Sequence, residues 1–362
     1  MMGFRLSIPI LSVLLLLGGC ASSSRNDMVF GEEAWRNVVS EKGYAPDQVI
    51  FPFNFTPEMK AWAEEATIGC TGPAAHLRHL QNALFNRGEF QFTYDEELTL
   101  TAKEAFELRR GNCLAFTSLF IALSRSIDLP TFLVSVERVL DVTREENLVI
   151  VNRHVVAGFR EAGSLRLFDF YLSSEAPHLQ QRIVDDLAGS AMYHTNIGGN
   201  LLKDDRLYEA SAHLHLATML DPDLAAAWVN LGVARRRDGD REGALRAYET
   251  ALRSQPGNPS ALTNMAYVFS EAGMHEEARD ALRAAAEGSS SPFSLIALAD
   301  VELARGQHDD AGKYLRRARW SYSDVPEVYD ALARWAREGG QQNLAARYRE
   351  RANRLRAEQA QQ

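Results

Sequence analysis

The chain has 362 residues, of which 46% are hydrophobic and 24% charged, enough for two domains that each bury a core of their own. Its formal net charge of −9 excludes nucleic acid as a general partner, because phosphate binding needs a basic face. The same balance leaves no basic surface to grip an anionic membrane.

The chain opens "MMGFRLSIPILSVLLLLGGC", from Met1 to Cys20. One arginine precedes an apolar run of about a dozen residues and then small residues, the pattern of a secretory signal and too short for a membrane span. Leu17-Gly18-Gly19-Cys20 resembles the bacterial lipobox. That resemblance implies cleavage before Cys20, a diacyl lipid on its sulfur, and, with Ala21 rather than Asp next, delivery to the periplasmic face of the outer membrane. The alternative is an ordinary signal peptide that happens to carry a cysteine. Residues 21–43 are expected as a tether, small and polar at their start. In an oxidising compartment the two remaining cysteines, Cys70 and Cys113, could pair.

Residues 44–190 mix helical and strand signals and are expected to form one domain. Apolar periodicity marks helices at 57–66 and 74–85, with Pro73 at the first turn of the second. "TLTAKEAFELRRG", Thr99 to Gly111, reads as a short helix capped by Thr101, with Glu104 completing a capping box. A further helix runs from Cys113 to about Ser126. The period then changes, and "TFLVSVERV", "LVIVNRHVVAGF" and "LRLFDFYL" read as strands.

Cys113 is the residue on which the chemistry turns. Asn112 is a good N-cap, so Cys113 opens its helix, where unpaired amides and the helix dipole favour a thiolate. Leu119, Phe120 and Leu123 give that helix a buried face. A thiolate nucleophile needs a base that becomes its ion-pair partner, and the base needs an acceptor on its other ring nitrogen. The strands after Cys113 offer both. With Ala162-Gly163 as the tip of a hairpin, His154 faces Tyr171 and Val156 faces Asp169, so His154 and Asp169 are diagonal neighbours on one face. A slip of one residue would separate them.

From about residue 191 the chain is Ala-rich and repetitive. Aligning Pro222 with Pro256 brings Ala210 onto Ala244, Ala217 onto Ala251 and Gly198 onto Gly232, a shift of 34 residues. Met265, Ala266, Ala278 and Ala285 follow, then Leu298, Ala299, Gly306 and Ala311 after a slip of one, then Leu332, Ala333, Gly340 and Ala345. Small residues at fixed places let paired helices pack closely, and each pair buries its apolar face only by stacking on the next. "RYRERANRLRAEQAQQ" is polar enough to cap the stack.

Two resemblances follow from these residues. "WVNLGVARRRDGDREGALRAYETALRSQP", Trp228 to Pro256, resembles a tetratricopeptide repeat, which implies an all-α solenoid of about five repeats over residues 191–356. Asn196, Asn230 and Asn264 recur at the same period. In the proteins this resembles, asparagines there line a concave groove and bind a ligand's peptide backbone; they are equally read as consensus residues with no ligand. The stretch from "TLTAKEAFELRRGNCLAFTSLFIALSRS" through "RHVVAGF" to "LRLFDFY" resembles the bacterial transglutaminase-like domain, a branch of the papain-like cysteine fold, over about residues 48–175. This implies an α+β N-terminal domain and a triad in which Cys113 is nucleophile, His154 base and Asp169 the residue that orients His154. It also makes the Cys113 amide an oxyanion donor. In place of the family's frequent Asp-Pro, this chain has Asp169-Phe170.

No cofactor is implied. His76 and His79 lack accompanying carboxylates or thiols, so no metal site is expected; His213 and His215 fall inside a repeat helix and read as structural. Arg109 and Arg110 read as exposed helix-end residues. Two functions remain open. One is a lipid-anchored periplasmic acyl-transfer enzyme, peptidase, amidase or crosslinker, whose repeats recruit a peptide or protein. The other is an envelope scaffold in which the repeats bind partners and the N-terminal domain is a catalytically idle peptide clamp.

Overall fold

A computed structural model describes residues 28, 30–86, 90–136, 142–145, 148–151, 154–169, 181–288 and 292–359. Cys20 and the whole signal segment lie outside these residues. The N-terminal part begins with α1 (Glu32–Glu41), α2 (Pro57–Ala66) and α3 (Pro73–Phe85). Thr56 caps α2 by accepting from the Met59 amide at 3.3 Å. Next come β1 (Thr93–Tyr94), α4 (Ala102–Leu108), β2 (Arg110–Gly111) and α5 (Cys113–Ser126). The capping box of α4 forms as its sequence dictates: Thr101 N–H donates to Glu104 Oε2 at 2.8 Å and Glu104 N–H to Thr101 Oγ1 at 3.4 Å.

Strands β3 (Phe132–Val136), β4 (Val142–Glu145), β5 (Leu148–Val151), β6 (His154–Glu161), β7 (Ser164–Phe168) and β8 (Gln181–Val184) follow. The principal sheet has the order β7-β6-β3-β8, antiparallel throughout, while β4 and β5 pair only with each other. The β-branched run over residues 148–159, read from sequence as one strand, is therefore two strands in different sheets. Neither β4 nor β8 was expected.

Helix α5 is the axis of this domain, with residues Leu114 to Leu123 all buried. Phe116 stacks on Phe85 at 5.2 Å between centroids, and Phe120 on Phe168 of β7 at 5.1 Å. Trp35 and Val39 of α1 are 1% and 0% exposed and join the same core. Over Glu32–Glu41 this corrects the tether expected for residues 21–43. "EEAWRNVVSE" spaces Trp35 and Val39 one helical turn apart, and that apolar stripe folds onto the domain.

Ten further helices are described: α6 (Asp186–Lys203), α7 (Leu207–Leu220), α8 (Ala225–Arg237), α9 (Arg241–Ser254), α10 (Pro259–Glu271), α11 (His275–Gly288), α12 (Pro292–Ala304), α13 (His308–Ser321), α14 (Pro326–Glu338) and α15 (Gln342–Gln359). Consecutive helices pair, α6 with α7 through α14 with α15, giving five hairpins. The period-34 glycines have a physical reason: a Cβ on Gly232 of α8 would lie 2.3 Å from the Tyr248 ring of α9. No helix among the described residues is long and apolar enough to cross a membrane.

The two halves share one core. Helix α6 starts before residue 191, and its Leu187, Ala191, Met192 and Tyr193 pack with α5 and β6. The Arg125 guanidinium makes a bidentate pair with Asp186, at 2.7 and 2.9 Å, and Asp186 also accepts from Gly31 N–H at 2.7 Å. Asp186 is fully buried, so this pair ties the end of α5, the start of α6 and the chain entering α1.

Candidate active site

Cys113 is the first residue of α5 and half-buried. Asn112 caps the helix by accepting from the Ala115 amide at 3.1 Å, and its own amide group donates to Thr99 Oγ1 at 2.7 Å. Gly111 is required beside it, since a Cβ there would meet the Ala115 Cβ at 2.5 Å. Cys70 and Cys113 are both free, so the alternative of a disulfide between them is not what the structure contains.

The position of Cys113 against β6 follows from two contacts. Thr117 Oγ1 donates to the Val155 carbonyl at 3.1 Å, and Phe120 stacks on Phe168, the register partner of Ala157. Helix and strand thus run alongside in the same sense. One turn back from Thr117, about 6 Å along the axis, Cys113 opens the helix in the direction of the start of β6. His154 is the first residue of β6, and its backbone pairs with Val136; its side chain lies outside the described part of the chain. Further along the strand, Val155, Ala157 and Phe159 pack with α5, while Val156 turns to Val134 and Val136 on the other face.

The β6–β7 hairpin has the expected tip and register. Ala162 and Gly163 both have positive φ, 48° and 84°, and the pairs run from Glu161↔Ser164 to Ala157↔Phe168. Asp169 is the residue after Phe168, the last paired position of β7. Asp169 is 8% exposed, and its carbonyl accepts from the Gln81 side chain of α3 at 2.8 Å. Tyr171, expected opposite His154, lies outside the described residues.

A narrow crevice of about 20 Å³, room for one water, separates this end of the domain from the helical array. Leu114 and Val155, the neighbours of Cys113 and His154, line it together with Asn196 of α6 and Leu224 and Ala226 at the start of α8. Asn196 is half-buried, whereas Asn230 on α8 and Asn264 on α10 are 1% and 0% exposed.

The remaining singled-out residues have structural partners. His76 and His79 hydrogen-bond the carbonyls of Gly72 and Ala75 in their own helix. Among the described residues no group of three or more His, Cys, Asp or Glu side chains could hold a metal. Arg109 lies over the Phe90 ring at 5.2 Å and Arg110 pairs with Asp95 at 3.5 Å. His213 meets His194 across α6 and α7, with Nδ1 to Nδ1 at 2.9 Å. Burial, with His213 adding to it, holds the His194 imidazole down to about 3. Sequence reasoning passed over His194, Thr117, Gln81 and Asp186, because their partners lie on distant elements and no spacing links them.

Two family models match this chain. The transglutaminase-like superfamily covers residues 60–159, which hold Cys113 and His154. Residues 60–159 are a transglutaminase-like domain. The tetratricopeptide repeat covers residues 235–289. The transglutaminase-like domain is thus followed by a tetratricopeptide array, the α+β domain and all-α solenoid expected from sequence. A curated relative, the anaphase-promoting complex subunit CDC16 of Saccharomyces cerevisiae, is 32% identical over 79 residues. That is 22% of this chain, and the match spans only 9% of the relative. Among solved structures, PilF of Pseudomonas aeruginosa is 21% identical, with 46% of this chain and 76% of that one covered and a TM-score of 0.41. MamA of Desulfovibrio magneticus is 16% identical, with 47% and 96% covered and a TM-score of 0.37.

Proposed function

We propose that this protein is a cysteine acyl-transfer enzyme of the cell envelope, anchored by a lipid on Cys20. Its transglutaminase-like domain works through Cys113, His154 and Asp169. The observation that carries this reading is the placement of Cys113 at the capped start of α5, one turn beyond the Thr117–Val155 bond that fastens α5 to the first residues of β6. His154 opens that strand, and Asp169 follows the strand paired with it.

In this mechanism His154 takes the Cys113 proton and Asp169 holds the resulting imidazolium. The sulfur attacks a carboxamide or peptide carbonyl; the oxyanion forms where the first amides of α5 point, the Cys113 N–H among them. His154 returns the proton to the leaving ammonia or amine as the C–N bond breaks, leaving a thioester on Cys113. Water then hydrolyses the thioester, or a second amine accepts the acyl group. Peptidase, amidase and crosslinking outcomes share every step up to that choice. Tetratricopeptide repeats are protein-binding modules. In the proposed division of labour, the array here raises the local concentration of a peptide or protein at the cleft.

Iodoacetamide labelling at pH 6, read by peptide mass, tests the proposal. Fast carboxamidomethylation of Cys113 that collapses in His154→Ala supports the enzyme. Slow labelling indifferent to His154 contradicts it and leaves the scaffold, with an idle domain and a partner-binding array, as the function.

A further inference from the structure

At the end of α5 remote from Cys113, about 18 Å along the helix axis, the chain entering α1 and the turn from α5 into β3 border a pocket of about 520 Å³, within the range of small-molecule sites. Its walls are aromatic and aliphatic: the Phe30 and Phe132 rings, with centroids 6.3 Å apart, then Leu129 and Pro130. Phe30 is 41% exposed, so its ring is open to a ligand. Two charged side chains line the pocket. Arg125 is neutralised by its bidentate pair with buried Asp186. Asp128 is exposed and has no ion-pair partner among the described residues, so the lining carries one uncompensated negative charge.

Asp128 is a destabilising residue for its place. The Leu129 N–H donates to the Ser124 carbonyl at 3.0 Å and the Asp128 N–H to the Arg125 carbonyl at 3.1 Å, the bond pair that closes a helix through a left-handed residue. That residue is Asp128, with φ 60°, where glycine is the least strained choice. Its carboxylate also sits at the negative end of the α5 dipole. A bound cation offsets that electrostatic penalty. Thr131 adds a second deficit: it lines the same pocket, is 2% exposed, and its hydroxyl is buried with no hydrogen-bond partner. A ligand N–H would satisfy it.

We infer that this pocket binds a small organic ammonium ion, a protonated primary amine on an apolar body. The ammonium pairs with Asp128 and lies over the Phe30 ring. The apolar body packs against Leu129, Pro130 and Phe132. An anionic head on the same body is repelled by Asp128. The site is separate from Cys113, and the inference stands or fails on binding alone, whatever Cys113 does.

The probe is 2-phenylethylamine, protonated at pH 7, titrated into the full chain by isothermal calorimetry at low salt. Its controls are 2-phenylethanol and 3-phenylpropanoate, which keep the body and make the head neutral or anionic. The amine should bind about fivefold more tightly than the alcohol, and the acid more weakly than either. Asp128→Asn should bring the amine down to the affinity of the alcohol. Asp128→Gly should do the same while its melting midpoint holds or rises, because glycine relieves the left-handed strain; this separates loss of the carboxylate from loss of the fold. Equal affinity for amine and alcohol, amine binding untouched by Asp128→Asn, or no binding of the amine at millimolar concentration overturns the inference.

Discussion

Acidification should loosen the joint between the transglutaminase-like domain and the array, through His194. Its side chain is 2% exposed, its Nδ1 faces His213 Nδ1, and burial holds its folded-state value down to about 3 from an ordinary 6.5. Below pH 6.5 the unfolded chain therefore binds a proton that the folded chain refuses. Stability is complete above the unfolded value and falls with pH until about 3. At pH 5 the loss from this one group is about 2 kcal/mol, or roughly 1.4 kcal/mol per pH unit once below 6.5. His213, whose Nδ1 faces that of His194, is also held low by burial and pulled back by Glu209. Thermal melts followed by circular dichroism at pH 7 and pH 5, in wild type and His194→Gln, isolate the term. The wild-type midpoint should fall by about 4–8 °C more than that of the variant. Identical pH dependence in the two proteins would refute the reasoning.

Gly232→Leu should destabilise the array by about 1–3 kcal/mol in urea, because even a Cβ at that position meets the Tyr248 ring. Asp186→Ala leaves the Arg125 guanidinium without its carboxylate at a nearly buried site and should cost about 3–5 kcal/mol by the same measure. Cys113→Ala replaces one small half-buried side chain by another; it should lose all mass-detected labelling of that site with a melting midpoint within a few degrees of wild type. Thr117→Val removes the bond to the Val155 carbonyl and should slow Cys113 alkylation at pH 6 severalfold at a stability cost of about 1 kcal/mol.

Local chemistry was legible in the chain, and distant contact was not. Asn112, Thr101 and Glu104 act on amides three residues away, so the starts of α4 and α5 could be read directly. The Ala162-Gly163 tip fixed the β6–β7 register because only two residues separate the strands. The repeat period exposed the solenoid because each hairpin solves the same packing problem. The Arg125–Asp186 pair spans 61 positions and the Gln81–Asp169 bond 88, and neither leaves a trace in spacing. Helix α1 was missed because its stripe is short and its partners lie far along the chain. The split of residues 148–159 escaped because β-branched residues dominate both parts, while β5 packs on helices α8 and α10 and β6 lies in the principal sheet.

The central claim is that Cys113 is ionised by His154. The most direct measurement is the thiolate absorbance near 240 nm from pH 4 to 9, taken as the difference between wild type and Cys113→Ser so that Cys70 cancels. An ion pair predicts that the Cys113 signal is already present by about pH 6 and moves toward the ordinary thiol range near 8.5 in His154→Ala. A wild-type signal that first appears near 8.5, unmoved by that substitution, would contradict the account.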